Sequence, residues 1–369
     1  LFKADATMSR NTSIYLDLLR LLAAFSVFLD HSRAFVVPEL PAVLASYGAE
    51  AVAVFFVLSG FVISYVAAEK EKYWKSYAIA RISRIYPVAL VAIIVTTIAD
   101  IYGNHVNSDQ YYLLNQQFNF YKPDTGEALI RYLTFTNQIW FSHFVYGTDE
   151  PYWSLGFEVW YYLLFGLIIF CPVERRTLIV CLAMLICGPK IVMYFPLWLL
   201  GHVAFKSLTN ANIERRSAGL IWVASIFMLI VFVDKIFVRP TDIFHTWPPI
   251  QELKNLFYFY TIGIIVVVNI IAFDSFAKGR EIWTAWQGKA IKWIAGASFT
   301  LYLAHQPLEV LICALYPDIG GRPGFGALTL VFILAVVFGL AELGERRKSF
   351  FKSLIRLLFY SKVAYGKRA

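Results

Sequence analysis

Charged side chains are scarce in this sequence. Only 16% of its 369 residues are Asp, Glu, Lys or Arg, where a soluble domain carries roughly 25%. Together with 59% hydrophobic residues and a mean hydropathy of +0.60, that deficit excludes an ordinary soluble globular protein and points to a chain dissolved in lipid. Cysteine is sparse as well. Cys171, Cys181, Cys187 and Cys313 lie in or at the ends of apolar runs and form no C-x-x-C pair, so neither a disulfide scaffold nor a metal site is expected. Internal repeats and low-complexity segments are absent. No small-residue cleavage site follows the first apolar run, which is therefore expected to be a membrane helix and not a cleavable signal peptide. The net charge of +8 comes without a basic helix or RNA-binding motif. Nucleic acid is not an expected partner, and retention of Lys and Arg on the cytoplasmic side accounts for the balance.

Long apolar runs dominate what is present. Crossing a ~30 Å hydrocarbon core takes about 20 apolar residues. Such runs are read at Ile14–Val37, Tyr47–Ala67, Ile85–Tyr102, Trp153–Cys171, Thr177–Met193, Phe195–Phe205 (the shortest), Ser217–Phe237, Leu253–Phe273, Ala290–Tyr316 and Phe325–Leu343. The longest polar connection is Gly103–Tyr152, and within it Ala128–Phe141 is amphipathic enough for an interfacial or re-entrant helix. With the N-terminus inside, 23 of the 33 Lys and Arg residues fall on inner segments and 7 on outer ones. That asymmetry predicts an even number of spans with both termini cytoplasmic. The expected fold is an all-α polytopic membrane protein with about ten transmembrane helices around a central cavity. Residues 1–13 form a cytoplasmic segment, 14–343 the membrane domain and 344–369 a basic cytoplasmic tail.

Ionisable groups inside a span each cost about 2.5–3.5 kcal/mol and call for a reason. The first span carries Asp17, Arg20, Asp30 and His31. Asp17 and Arg20 share a face and can pair. Arg20 and His31 also share a face, three turns and roughly 16 Å apart along the axis. Glu158 and His305 are expected at a depth similar to that of His31, on two other helices, with Pro307 breaking the hydrogen-bond ladder beside His305. A histidine–carboxylate set suits general acid–base work. The plainer reading is that Arg20 snorkels inward and His31 marks the outer interface. Ser59-Gly60 in mid-span favours close helix packing over a nucleophile, since no G-x-S-x-G elbow is present. Lys75, Arg81 and Arg84 form a basic cytoplasmic loop, either a topology determinant or a set of phosphate forks.

Five stretches taken together resemble the bacterial acyltransferase-3 family. Arg20 and His31 match its first-helix arginine–histidine pair, and FFVLSGFVIS its second-helix signature. The Arg81–Arg84–Pro87 stretch is similar to its R-x-x-R-I-x-P segment, WSLGFEVWYYL to its W-S-L…E element, and TLYLAHQPL to its late histidine element. They occur in the family's order from Ile14 to about Leu343. The resemblance implies a membrane-integral O-acyltransferase that moves an acetyl group from cytoplasmic acetyl-CoA to a hydroxyl of a cell-surface or exported glycan, in the bacterial inner membrane. It makes His31 catalytic, as base or as acetyl-accepting nucleophile, with Glu158 orienting it. Arg20, Lys75, Arg81 and Arg84 become donor-binding residues, and Asp30, Ser59, Trp153, Tyr161 and His305 cavity residues. Acetyl-CoA, a carbohydrate acceptor and membrane lipid are the implied partners. Asp30 departs from the family, which usually has an apolar or aromatic residue there. A short stretch after the tenth span fits a stand-alone enzyme. A proton-coupled transporter or flippase is the competing class, and a structural membrane scaffold a third.

Overall fold

The computed structural model describes residues 8–118, 125–208, 210–231 and 249–365. The N-terminal Lys3, residues 232–237 of the seventh expected span and the terminal Lys367 and Arg368 lie outside them. The described residues are 81% helix and include no strand. The helices are α1 (Arg10–Phe35), α2 (Gly48–Glu69), α3 (Trp74–Val106), α4 (Ser108–Phe118), α5 (Thr125–Thr134), α6 (Leu155–Phe170), α7 (Val173–Cys187) and α8 (Pro189–Ser207). They continue with α9 (Arg215–Val231), α10 (Pro249–Ala277), α11 (Ala285–Ala295), α12 (Ser298–Leu315), α13 (Pro323–Ala341) and α14 (Lys348–Tyr365).

Among the described residues seven helices are long and apolar enough to cross a membrane, and α7 with α8, bent by 120°, makes an eighth if that pair is one span. Their directions alternate as a membrane bundle requires. Contacts climb together along α1 and α12 (His31 to His305, Phe35 to Cys313), so these run parallel. Helix α2 runs in the opposite sense to α1, its Gly48 against Asp30 and its Ser59 in one cavity with Arg20. Helices α6 and α8 run with α2, Phe56 meeting Phe157 and Ser59 meeting Tyr162, Gly60 meeting Trp198 and Tyr65 meeting Phe205.

Three boundaries differ from the sequence-based expectation. The turn expected between Met193 and Phe195 lies instead at Gly188, whose φ of +86° only glycine adopts without strain. Pro189 then opens α8 at a position where its missing N–H costs nothing. The expected basic loop Lys75–Arg84 is helical, because α3 runs unbroken through Pro87 from Trp74. The ninth expected span is divided at Gly296–Ala297. Ahead of that break α11 starts with a capping box of Thr284 and Gln287, and beyond it the Glu345 carboxylate accepts the Phe299 and Thr300 amides at the start of α12.

The core is built by α2 lying directly on α8. A Cβ on Gly60 would sit 1.9 Å from the Trp198 carbonyl oxygen, and one on Gly201 2.0 Å from that of Val57. Small residues let the two backbones touch, which is how helices gain packing energy in lipid. Of the expected interfacial or re-entrant helix Ala128–Phe141 the first half is helical, in α5. The rest belongs to a segment, 135–149, that is mostly irregular and folds into the bundle with Asn137, Gln138, Thr148 and Asp149 all buried. Non-helical backbone at that position is tolerated because protein covers it. The basic tail is an amphipathic helix, α14, packed along α3.

Candidate functional site

Two centres occupy the space between α1, α2, α3, α6 and α12. The first is a histidine pair. His31 Nδ1 lies 2.8 Å from His305 Nε2, and His305 Nδ1 lies 2.8 Å from the Leu301 carbonyl oxygen. A carbonyl cannot donate, so His305 carries its proton on Nδ1. With both rings uncharged, His305 Nε2 then accepts from His31 Nδ1–H, and the lone pair of His31 is left on Nε2. His305 is fully buried, edge-on to Phe28, whereas His31 is half-buried. One imidazole is thus a fixed orienter and the other a basic nitrogen held in one tautomer, the arrangement used by general bases.

Next to this pair the sequence hid two residues. Ser32 Oγ is 2.7 Å from the Phe28 carbonyl oxygen and 2.5 Å from Glu309 Oε1, and both side chains are fully buried. Glu309 lies one turn beyond His305 on α12, in a run otherwise apolar but for Gln306. A search for every intramembrane carboxylate finds it directly. Asp30 turns the other way, its carboxylate resting on Gly48 at the start of α2, where a helix N-terminus favours negative charge.

The second centre is a cavity of ≈ 40 Å³ lined by Arg20, Ser59, Arg84, Ser154, Glu158 and Tyr302. That volume admits about one to three water molecules. Arg20 pairs with Asp17 at 3.5 Å, as the spacing predicts. Arg84 has no hydrogen bond or ion pair with the described residues, and Tyr162, Glu158, Glu345 and Asp17 are within its electrostatic reach. Glu158 Oε1 accepts from Ser59 Oγ at 2.8 Å and from the Tyr162 hydroxyl. An uncommitted guanidinium facing a polar cavity is suited to an incoming anion.

The expected meeting of His31, Glu158 and His305 is therefore divided. The two histidines touch, while Glu158 belongs to the arginine cavity. Asn137 and Gln138 of the buried 135–149 segment pack on Gly156 in the first turn of α6, and that turn lies against the middle of α2. Ser59 faces this cavity and Gly60 alone makes the close helix contact, so the packing role expected of Ser59-Gly60 falls to the glycine. Tyr161 is packed among Phe56, Phe195 and Trp198 instead of lining the cavity, and Tyr162 and Tyr302 stand where it was expected. Trp153 packs edge-on to Phe157, also outside the cavity.

The three basic residues of α3 also separate. Lys75 is exposed, over the Trp74 ring. Arg81 is buried and ion-paired with Glu71 at 2.5 Å, between the rings of Tyr77 and Tyr162. Burial pushes the Glu71 carboxyl up, against the opposing pull of Arg81. Only Arg84 turns into the cavity with Arg20.

No curated protein and no solved structure matches the chain. The acyltransferase domain of the acyltransferase-3 family matches residues 13–342, nearly the whole chain and both centres. With its apolar helical bundle and that match, the chain belongs to the acyltransferase-3 family and is a multi-pass membrane acyltransferase.

Proposed function

We propose that the protein takes an acetyl group from acetyl-CoA on the cytoplasmic side and delivers it to a hydroxyl of an exported or cell-surface glycan. The observation that carries this reading is the hydrogen-bond chain from the Leu301 carbonyl through His305 to His31, which leaves His31 Nε2 as the one basic lone pair. In the reaction, His31 Nε2 takes the proton of the acceptor hydroxyl as its oxygen attacks the thioester carbonyl. The carbon–sulfur bond breaks, and the CoA thiolate leaves with that proton. No net proton is released, so the same imidazole serves as base and then as acid. His305 keeps its own proton on Leu301 throughout and orients the reacting ring, much as the third member of a triad does.

The donor is anionic at its nucleotide end and uncharged at its thioester. Arg84, which makes no hydrogen bond or ion pair with the described residues, and Arg20, paired with Asp17, supply positive charge on the inner side of the histidines, with Glu158, Ser59 and Tyr162 setting the polarity of the passage between α2 and α6. The roughly 16 Å axial step from Arg20 to His31 is of the order of a pantetheine arm. The acceptor is taken at His31, the half-buried member of the histidine pair.

The test is direct. Purified protein in lipid vesicles, given acetyl-CoA, is expected to release free thiol, and cells with and without the gene are expected to differ in glycan O-acetylation. An absence of protein-dependent thiol release across a panel of glycan acceptors would remove the acetyl-CoA reading in favour of transport.

A further inference from the structure

Glu309 is the fully buried carboxylate at the histidine level, and neither the family resemblance nor the proposed reaction gives it a role. It is 0% exposed, and its Oε2 has no hydrogen-bond partner. No described Lys or Arg pairs with it, and the charge nearest in effect is Asp30, of the same sign. A bare carboxylate in that position would be an uncompensated buried charge, at a cost of several kcal/mol.

Counting protons around Ser32 bears on what Glu309 is. Three oxygens lie in a row: the Phe28 carbonyl, Ser32 Oγ at 2.7 Å from it, and Glu309 Oε1 at 2.5 Å from Ser32. One serine proton shared between two acceptors makes two bent, weak bonds, whereas two linear bonds at these short distances need two protons. A carbonyl has none and a serine hydroxyl has one. If Ser32 spends its proton on Phe28, the contact with Glu309 is a hydrogen bond only when Glu309 brings the second. The donors then run in one direction, from Glu309 to Ser32 to Phe28, with no charge anywhere in the row.

The row ties α12 to α1 at the level where the histidines meet. Ser32 adjoins His31 in sequence, and Glu309 follows His305 by one helical turn. One turn further on, Cys313 Sγ lies 2.8 Å from the Phe35 carbonyl oxygen and continues the same seam. A slip of either helix would part His31 from His305. We propose that Glu309 is a positioning residue: as an uncharged carboxylic acid it donates through Ser32 into α1 and holds His31 in the tautomer that leaves Nε2 basic. This rests on His31 being the base of the proposed transfer, but the proton assignment and the tautomer can be read without any turnover.

The experiment uses the full chain in lipid nanodiscs and the variants Glu309→Gln and Glu309→Ala. Infrared difference spectra between wild type and Glu309→Gln at neutral pH, with no acetyl-CoA, should show the C=O stretch of a protonated carboxylic acid. A carboxylate signal in its place overturns the proposal. Nitrogen-15 spectra of histidine-labelled protein should show His31 protonated on Nδ1 in wild type and in Glu309→Gln, whose amide still donates to Ser32, and a mixture of tautomers in Glu309→Ala. An unchanged tautomer in Glu309→Ala overturns the positioning role. In thiol-release assays, Glu309→Gln should keep kcat within about threefold, while Glu309→Ala should lose about tenfold or more with KM for acetyl-CoA unchanged. Equal losses in the two variants would mean that the negative charge itself is required, which also overturns it. Should Glu309→Ala fail to insert, the infrared band and the Glu309→Gln kinetics decide. A wild type with no acetyl-CoA turnover removes the proposed function yet leaves both spectroscopic readings to be made.

Discussion

The two centres differ in how their polar groups are satisfied. Around His31 and His305 the donors and acceptors form rows that end on backbone carbonyls at Leu301 and Phe28, and nothing in those rows is charged. Around Arg20 and Arg84 the groups are charged, and Arg84 makes no hydrogen bond or ion pair with the described residues, its compensation coming at a distance from Glu158, Glu345 and Asp17. A closed row of hydrogen bonds in a low-dielectric interior holds atoms still. A guanidinium held only by charges at a distance keeps its donors free for an incoming anion. The histidine level is thus built for placement and the arginine level for reception, a division of labour along one helix, α1, that contributes a residue to each.

The comparison breaks most visibly at His31. His31→Ala should reduce transfer by ~10²–10⁴-fold, the usual cost of losing a general base, while membrane insertion is unharmed because a polar group has been removed from the bilayer. Thiol release from a well-expressed variant within about threefold of wild type would place the chemistry elsewhere, and His305 would be tested next.

A smaller effect separates the two arginines of α3. Arg84→Ala should raise KM for acetyl-CoA by ~10- to 100-fold, the worth of a charge-assisted contact of about 1.5–3 kcal/mol, with kcat changed much less because the contact is remote from the reacting carbon. Arg81→Ala should do something different. It strands Glu71 inside the protein, and breaking a buried pair typically costs ~3–5 kcal/mol, so the loss should show as a lower unfolding temperature. Equal effects of the two substitutions on donor affinity would erase the distinction drawn here between a paired and an open guanidinium.

Sequence periodicity carried most of the fold and part of the site. The apolar runs locate the helices because lipid demands them, and the Arg20–His31 spacing fixes one face of α1 whatever its neighbours do. Contacts between helices were less accessible. Glu158 and His31 were expected together because both lie near the outer ends of their helices, an estimate that treats every helix as starting at the membrane surface. The buried 135–149 segment invalidates that estimate, and the amphipathic pattern of Ala128–Phe141, which allows an interfacial or a re-entrant helix, does not say that the chain after Thr134 is buried as irregular backbone. Arg81 and Arg84, three residues apart, looked equivalent. Only the position of Glu71, ten residues before Arg81 and across a turn, decides which of them is already engaged. Glu309 is a different case. The cost of a carboxylate in an apolar run was legible, and it was overshadowed by the histidine beside it.

The finest test of the contrast lies at Ser59, which touches the arginine cavity without any charge of its own. Its hydroxyl reaches Glu158 Oε1 at 2.8 Å and the Tyr162 hydroxyl at 3.1 Å. Tyr162 also donates to the same carboxylate oxygen. Removing Ser59 therefore leaves Glu158 with one donor in place and leaves Arg84 with its nearby negative charge. Ser59→Ala opens room for about one water molecule, which can replace the lost hydroxyl in a cavity already polar. The expected outcome is a loss of about two- to fivefold in kcat/KM, with protein stability near wild type, in keeping with a net hydrogen-bond contribution of ~0.5–1 kcal/mol. A serine that carried the acetyl group covalently would behave otherwise, since removal of an obligate nucleophile leaves almost no turnover. Steady-state thiol release by Ser59→Ala, measured beside His31→Ala, therefore ranks the two levels. A near-complete loss at Ser59 with substantial activity at His31 would move the reacting carbon down into the arginine cavity and reverse the roles assigned to the two centres.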